Sequence, residues 1–361
     1  MSPLPYLYRM GMRNSSRGVH SPDVFNILVI QLGHEVRLRT IGEQMRLKIR
    51  TCVLVMLLLT LNIVAVAQGT LRLSYTGTAG WEITDGQTVI LIDPYLTRLK
   101  TETPNDPPLA SDSRPLVNDD DFARSDDAVV DNHIARADYI LITHTHLDHV
   151  LDMPYIARKT GAVVVGTEST ANFARDNGVP DSQILMVKGG EDLQLRNCSV
   201  RVIPSLHGIL RSGSQFPPPS TIFPANAKPP FRLGQLFVEG GTLAYLIRIG
   251  GHQIVAFGSM NYIEREVDGL RPDIALIGAM PERHKIYRYT ERLLHALGYP
   301  PLVMPTHWDR FNVPYDVSQQ PAIDRLQSFV AEVKAASPHT EVIVPKYFVP
   351  IAVGPSRSPG N

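Results

Sequence analysis

The sequence predicts an α/β protein, a four-layer αββα sandwich of two facing β-sheets. Three observations predict it. Short apolar runs follow one another closely from Leu71, the pattern changes after residue 125 to helix-then-strand units, and the remaining chain repeats that order, strands first and alternation second. The chain has 361 residues, 43% apolar and 19% charged, enough material for one large core.

The N-terminal region carries targeting rather than fold information. Met45 is followed by Arg46, Lys48 and Arg50, then by CVLVMLLLTLNIVAVA, closed by Ala65-Val66-Ala67 before Gln68. A basic region, an apolar run and an A-x-A-like site read as a signal peptide over 45–67, with export to the periplasm or medium. The run is short for a membrane span and contains Asn62, which disfavours a stable anchor. Residues 1–44 show no sustained periodicity and no motif, so they read as a non-native extension ahead of a true start at Met45. The folded domain is then 68–361. Of the two cysteines, Cys52 leaves with the signal and Cys198 remains as a single thiol, expected to be buried and inert.

The elements follow in order. LRLSYTG, GWEIT and TVILIDPYL read as an antiparallel meander with Asp85-Gly86 as a tight turn. Residues 100–125, rich in Pro, Asp, Ser and Asn, form a loop in which Asp119, Asp120 and Asp121 make a solvated turn. Helix-strand units then run SDDAVVDNHIARA with DYILITH, LDMPYIARKTG with AVVVGT, and STANFARDNG with QILMVKG. Ser169-Thr170 fits a helix cap and Gly178 a helix end. A second β-rich stretch covers Leu193 to Pro204. Later come the strands TLAYLIRIG, HQIVAFGS, PDIALIGA, PLVMPTH and TEVIVPKY, with helices at NYIEREVDGL, near Tyr289 to Leu297 and near Pro321 to Ala336.

A Pro-rich insertion, 211–235, interrupts the second half just after His207. Its position suggests a lid, and Phe216, Ile222, Phe223 and Phe231 are expected to meet an apolar substrate there.

The chemistry concentrates in ILITHTHLDHV. A buried-strand pattern ends directly before His144, His146, Asp148 and His149, so four donor groups emerge at a sheet edge. Neutral imidazole and carboxylate oxygen suit Zn²⁺, and two cysteines are too few for a thiolate site. Formal charges cancel, 35 basic against 35 acidic, so no global field attracts nucleic acid.

THTHLDH resembles the signature of the metallo-β-lactamase superfamily, and the likeness extends from about Leu71 to Tyr347. The opening LSYTGTAGWEITDGQTVILIDPYL is similar to the first strands of its ascorbate-6-phosphate lactonase-like group. The resemblance implies a metallo-β-lactamase fold for 68–361 and two zinc ions. They would be held by His144, His146 and His207 and by Asp148, His149 and His307. It also places Asp93, in LIDP, near the metals, although an aspartate before proline is equally a turn residue. Many members carry a bridging aspartate where this chain has Ser259. That change would weaken the second metal or leave a single one, yet one subclass of true metallo-β-lactamases also has serine there. Ser259 is then a partner of metal-bound water or a small turn residue. His284 and Tyr287 are possible outer-shell or substrate groups, and they also read, with Asp309 and Arg310, as surface residues. His133, His252, His295 and His339 receive no role.

The function so implied is that of an exported zinc-dependent hydrolase in which a metal-bound hydroxide attacks an ester, lactone or phosphodiester, with Asp148 orienting the attack and accepting a proton. The substrate is a small or lipid-like molecule. A β-lactam-hydrolysing enzyme and a non-catalytic zinc-binding exported protein are the alternatives.

Overall fold

Apolar residues in the first strands serve two cores at once. The structure, a computed structural model, describes residues 70–103, 106–209 and 221–354, together with Met45. The chain divides into two units, Met1–Ala67 and Gln68–Asn361, and every element below lies in the second. The proposed extension, the signal peptide and Phe216 fall outside the described residues, Met45 excepted.

β1 (Leu71–Gly77), β2 (Gly80–Thr84) and β3 (Val89–Ile92) form the predicted antiparallel meander. β4 (Tyr139–Leu141), β5 (Val163–Gly166) and β6 (Ile184–Met186) continue the sheet in parallel. The second sheet repeats this plan. β7 (Asp192–Leu195), β8 (Cys198–Pro204), β9 (Leu243–Ile249) and β10 (His252–Phe257) pair antiparallel, then β11 (Ile274–Gly278), β12 (Leu302–Thr306) and β13 (Glu341–Val342) pair parallel. β14 (Ile351–Val353) returns to close the first sheet against β1. Among the described residues each sheet has seven strands.

Period-two alternation explains the layers. Ile90 and Ile92 enter the core between the sheets, while Leu91 enters a second core beneath the helices; Leu141 and Ile140 divide likewise, as do Val165 and Val164. Strands buried on both faces must be apolar at successive positions, as VILI and YIL are. The helices that cover the first sheet include α1 (Asp127–His133), α3 (Met153–Thr160) and α4 (Glu168–Asp176); α2 (Leu147–Val150) is a short turn at the sheet edge. α5 (Glu264–Val267), α6 (Tyr289–Ala296) and α7 (Gln320–Ala336) accompany the second sheet, with Leu293, Leu294, Leu326 and Phe329 in its core. Sandwich architecture therefore follows as expected.

Local chemistry sets several boundaries. Asp126 caps α1 by accepting from Val129 N at 3.2 Å, and Gly161 ends α3 at φ +78°. The Ser169-Thr170 cap does not form. Thr167 is the capping residue and makes no side-chain cap bond, and the Ser169 hydroxyl accepts from Phe223 N at 2.8 Å. TEVIVPKY supplies only the two strand residues of β13, since the chain leaves that sheet to reach β14 on the other.

That contact of Phe223 also changes the reading of the Pro-rich insertion. Phe223 and Phe231 are buried and pack edge-on against each other, with ring centroids 5.1 Å apart, and both contact Phe173 of α4. Their partner is the protein, not a substrate. The part of the insertion from 221 onward thus extends the core under the helices, and Ile222 is left half-exposed. Cys198 is a free, half-buried thiol, its pKa pushed up to about 11 by burial. Among the described residues no helix is long and apolar enough to cross a membrane.

Candidate metal centre

Six donor side chains arrive at one place because the strands that precede them end there. β4 is followed by Thr143 and His144; His146 then caps α2, whose first turn carries Asp148 and His149. His207 follows β8 and His307 follows β12, both from the opposite sheet. Ligand atoms of His144, His146 and His207 lie within 4.8 Å of one another, and so do those of Asp148, His149 and His307. Two triads therefore stand side by side. Each combines two residues of the THTHLDH loop with one histidine of the second sheet.

The surrounding bonds fix which ring nitrogen is available. Asp93, fully buried, accepts from Thr143 N at 2.7 Å, from Thr143 Oγ1 at 2.5 Å and from His149 Nδ1 at 2.8 Å. Thr143 Oγ1, having given its proton to Asp93, accepts from His144 Nδ1 at 3.1 Å. One carboxylate thus orients two imidazoles and leaves Nε2 of both to face the centre. His207 Nδ1 donates to the Gly208 carbonyl at 2.8 Å, with the same result. Gly208 N in turn donates to Ser259 Oγ at 2.9 Å, so the Ser259 hydroxyl braces the turn that carries His207.

Close approach of the two sheets is required here. A Cβ on Gly258 would lie 1.9 Å from Thr143 Oγ1 and 2.6 Å from Asp93 Oδ2, so only glycine fits. Asp93 and His307 hold φ at +38° and +49°, left-handed values that side chains other than glycine rarely adopt and that the neighbouring bonds must enforce. His307 N donates to Thr78 O at 2.5 Å.

Charge divides between the triads. Burial, reinforced by neighbouring imidazoles, keeps His144 and His146 well below the usual histidine range, and burial takes His207 down to about 4. Burial also opposes a charge on His149, but Asp148 and Asp93 outweigh it and push that pKa up to about 10. Asp148 is disfavoured as an anion by burial; the charge of His149 and the bonds from His149 and His307 nevertheless hold it well below the carboxylate range. Asp148 Oδ2 lies 3.1 Å from His307 Nε2 and 3.5 Å from His149 Nε2.

This donor set fits divalent metal. Three neutral imidazoles converge in one triad, two imidazoles and a carboxylate in the other, and two buried ring nitrogens, His146 Nε2 and His307 Nδ1, have no hydrogen-bond partner. The centre opens into a cavity of about 540 Å³.

A family model described as a β-lactamase superfamily domain matches residues 72–307, from β1 to the last of the six donors. The chain belongs to the metallo-β-lactamase superfamily. As a member it falls among metal-dependent hydrolases. A UPF0173 metal-dependent hydrolase of Heliobacterium modesticaldum is 25% identical over 67% of this chain and 84% of its own length. Another, of Christiangramia forsetii, is 41% identical over 18% of this chain, a segment that spans 27% of that relative. Igni18, a metallo hydrolase of Ignicoccus hospitalis, is a structural neighbour at 17% identity and TM-score 0.47, covering 79% of this chain and 99% of its own.

Not every residue expected in this superfamily site is there. His284 is exposed and bonds Glu332 of α7 at 3.1 Å, and Tyr287 is 74% exposed. Following β11, each has two readings, an outer-shell group or a surface residue, and the exposure matches the second. The chain turns outward sooner, in a 3₁₀ turn over Pro281–Lys285, so the residues that reach the cavity are Met280 and Glu282. Nor are Asp309 and Arg310 surface residues. Both are buried, Asp309 against Arg98 at 2.8 Å and Arg310 against Asp106 at 3.2 Å. Sequence reasoning also missed Thr143, adjacent to His144, and Phe237, which pairs with His146 in an isolated bridge and lines the cavity.

Proposed function

We propose that the chain is an exported zinc-dependent hydrolase, with one zinc ion in each triad, that opens an ester or lactone bond. The observation that carries this reading is the pair of adjacent triads, in which bonds with Asp93, Thr143 and Gly208 turn His149, His144 and His207 to present Nε2. Zinc bound there would polarise the substrate carbonyl and bring the pKa of water from about 16 to about 7.

The protein's own groups do the rest. Asp148, on the cavity side of the second triad, orients the attacking water and takes up its proton. Phe237, Phe311, Met260, Met280 and Leu147 line the cavity and hold the apolar body of a small or lipid-like substrate while excluding bulk water. Ser259 keeps the His207 turn in place instead of adding a bridging carboxylate.

Elemental analysis of the purified chain, with a panel of chromogenic esters, phosphodiesters and β-lactams, tests the reading. About two zinc ions per chain and turnover of esters are expected; a metal-free protein with full activity would overturn it. Export rests on the 45–67 pattern, and N-terminal sequencing of exported material should begin at Gln68.

Asp93 offers a separate check. Asp93→Ala removes the acceptor that orients His149 and, through Thr143, His144, and zinc affinity measured against a chromophoric chelator should fall about 10–100-fold. Unchanged affinity would show that the two imidazoles need no such support.

A further inference from the structure

Which substrates the cavity admits depends on the charge of its walls. Besides the donors, it is lined by Glu102 and Asp119, both exposed at its mouth, by buried Glu282, and by apolar Phe237, Phe311, Met260 and Met280. No lysine or arginine is among the described residues that line it. Several basic residues close to these in sequence bond elsewhere, Lys100 to the Asp112 carbonyl at 2.6 Å and Arg232 to the Asp120 carbonyl. Arg98 is buried against Asp309, Arg310 against Asp106, and Arg283 against Glu332, while Arg114 bonds Asp112 and the carbonyls of Arg98 and Asn312. That this cavity takes a ligand does not depend on the carboxylates, since buried His146, which has an unpartnered ring nitrogen, is among its lining residues.

We infer that this cavity selects hydrolysable substrates whose remote end is neutral or cationic and attached to an apolar body, and that it rejects those carrying a second anionic group. The inference rests on the hydrolase reading above. Metal ions held in the triads would polarise the reacting carbonyl, and the rest of the substrate meets Glu102 and Asp119, whose field the low-dielectric walls strengthen. An anion there faces like charge with no lysine or arginine among the described lining residues to offset it, and apolar neighbours cannot solvate it. Phosphodiesters and carboxylate-bearing β-lactams fall on the rejected side. Neutral lactones, and esters with an ammonium tail, fall on the accepted side.

The test uses the zinc-loaded chain and three esters that share acyl and leaving groups but end in a methylamide, a trimethylammonium or a carboxylate. We expect kcat/KM to be lowest for the carboxylate, by about tenfold or more against the ammonium twin, with the gap shrinking as salt is added. In the double variant Glu102→Gln, Asp119→Asn, at exposed positions where folding is not at stake, the gap should shrink as well. A carboxylate ester turned over as fast as its twins, or a gap untouched by both salt and the double variant, would overturn the inference. Were none of the three hydrolysed, the hydrolase reading would fall, and calorimetric binding of the same uncleaved compounds would still rank the charges.

Discussion

Asp148→Asn is expected to lower kcat for a turned-over ester by about 10²–10⁴-fold, the range for loss of a positioned proton acceptor. The substitution keeps shape and a potential ligand oxygen but removes the charge that faces His149 and His307. KM should change much less, because the apolar wall that holds the substrate body is untouched. Zinc content measured on the same sample separates two causes: with two ions retained, the loss belongs to proton transfer and orientation; with one lost, to ligation. An unchanged kcat would remove Asp148 from the chemistry altogether.

Arg98→Ala and Asp309→Ala should each destabilise the fold by about 3–5 kcal/mol, the cost of leaving one member of a buried ion pair without the other. Both side chains are fully buried, 2.8 Å apart. Asp309 also accepts from Tyr75 OH, Thr78 N and Tyr347 OH, and Arg98 donates to the carbonyls of Val313 and Arg310. Against a total of about 5–15 kcal/mol, such a loss should be plain in a denaturant midpoint. The double variant should lose less than the sum of the two. Asp309 lies near His307 in the chain, and Thr78, which Asp309 holds by its N–H, holds His307 by its carbonyl. Second-triad zinc should therefore weaken in either variant. Additive effects would show that Arg98 and Asp309 do not act as a unit.

Much of this architecture was legible because it is local. Period-two runs gave the strands, and the string after Ile142 gave four donors whose spacing alone brings them to one edge. His207 and His307 were reached through the family resemblance, which implies a ligand after each of two later strands. The failures share a cause. Whether Asp309 is buried depends on Arg98 and Tyr347, both far away in sequence. The three residues of β14 form a strand only because β1 offers an edge. Phe223 and Phe231 gave the same signal whether they awaited a ligand or α4. Before His284 the turn at Pro281 has already carried the chain away and left Glu282 at the cavity.

Because each triad draws two groups from the first sheet and one from the second, neither half of the molecule owns a complete metal site. An ion in either triad would act as a rivet through the seam of the sandwich, and binding only the closed arrangement would favour it by mass action. The same division makes the centre a sensor of how the halves are seated. A slip of one sheet on the other would move His207 and His307 away from the four donors of the first sheet, and Gly258, where even a Cβ would meet Thr143 Oγ1, marks how closely the sheets approach there.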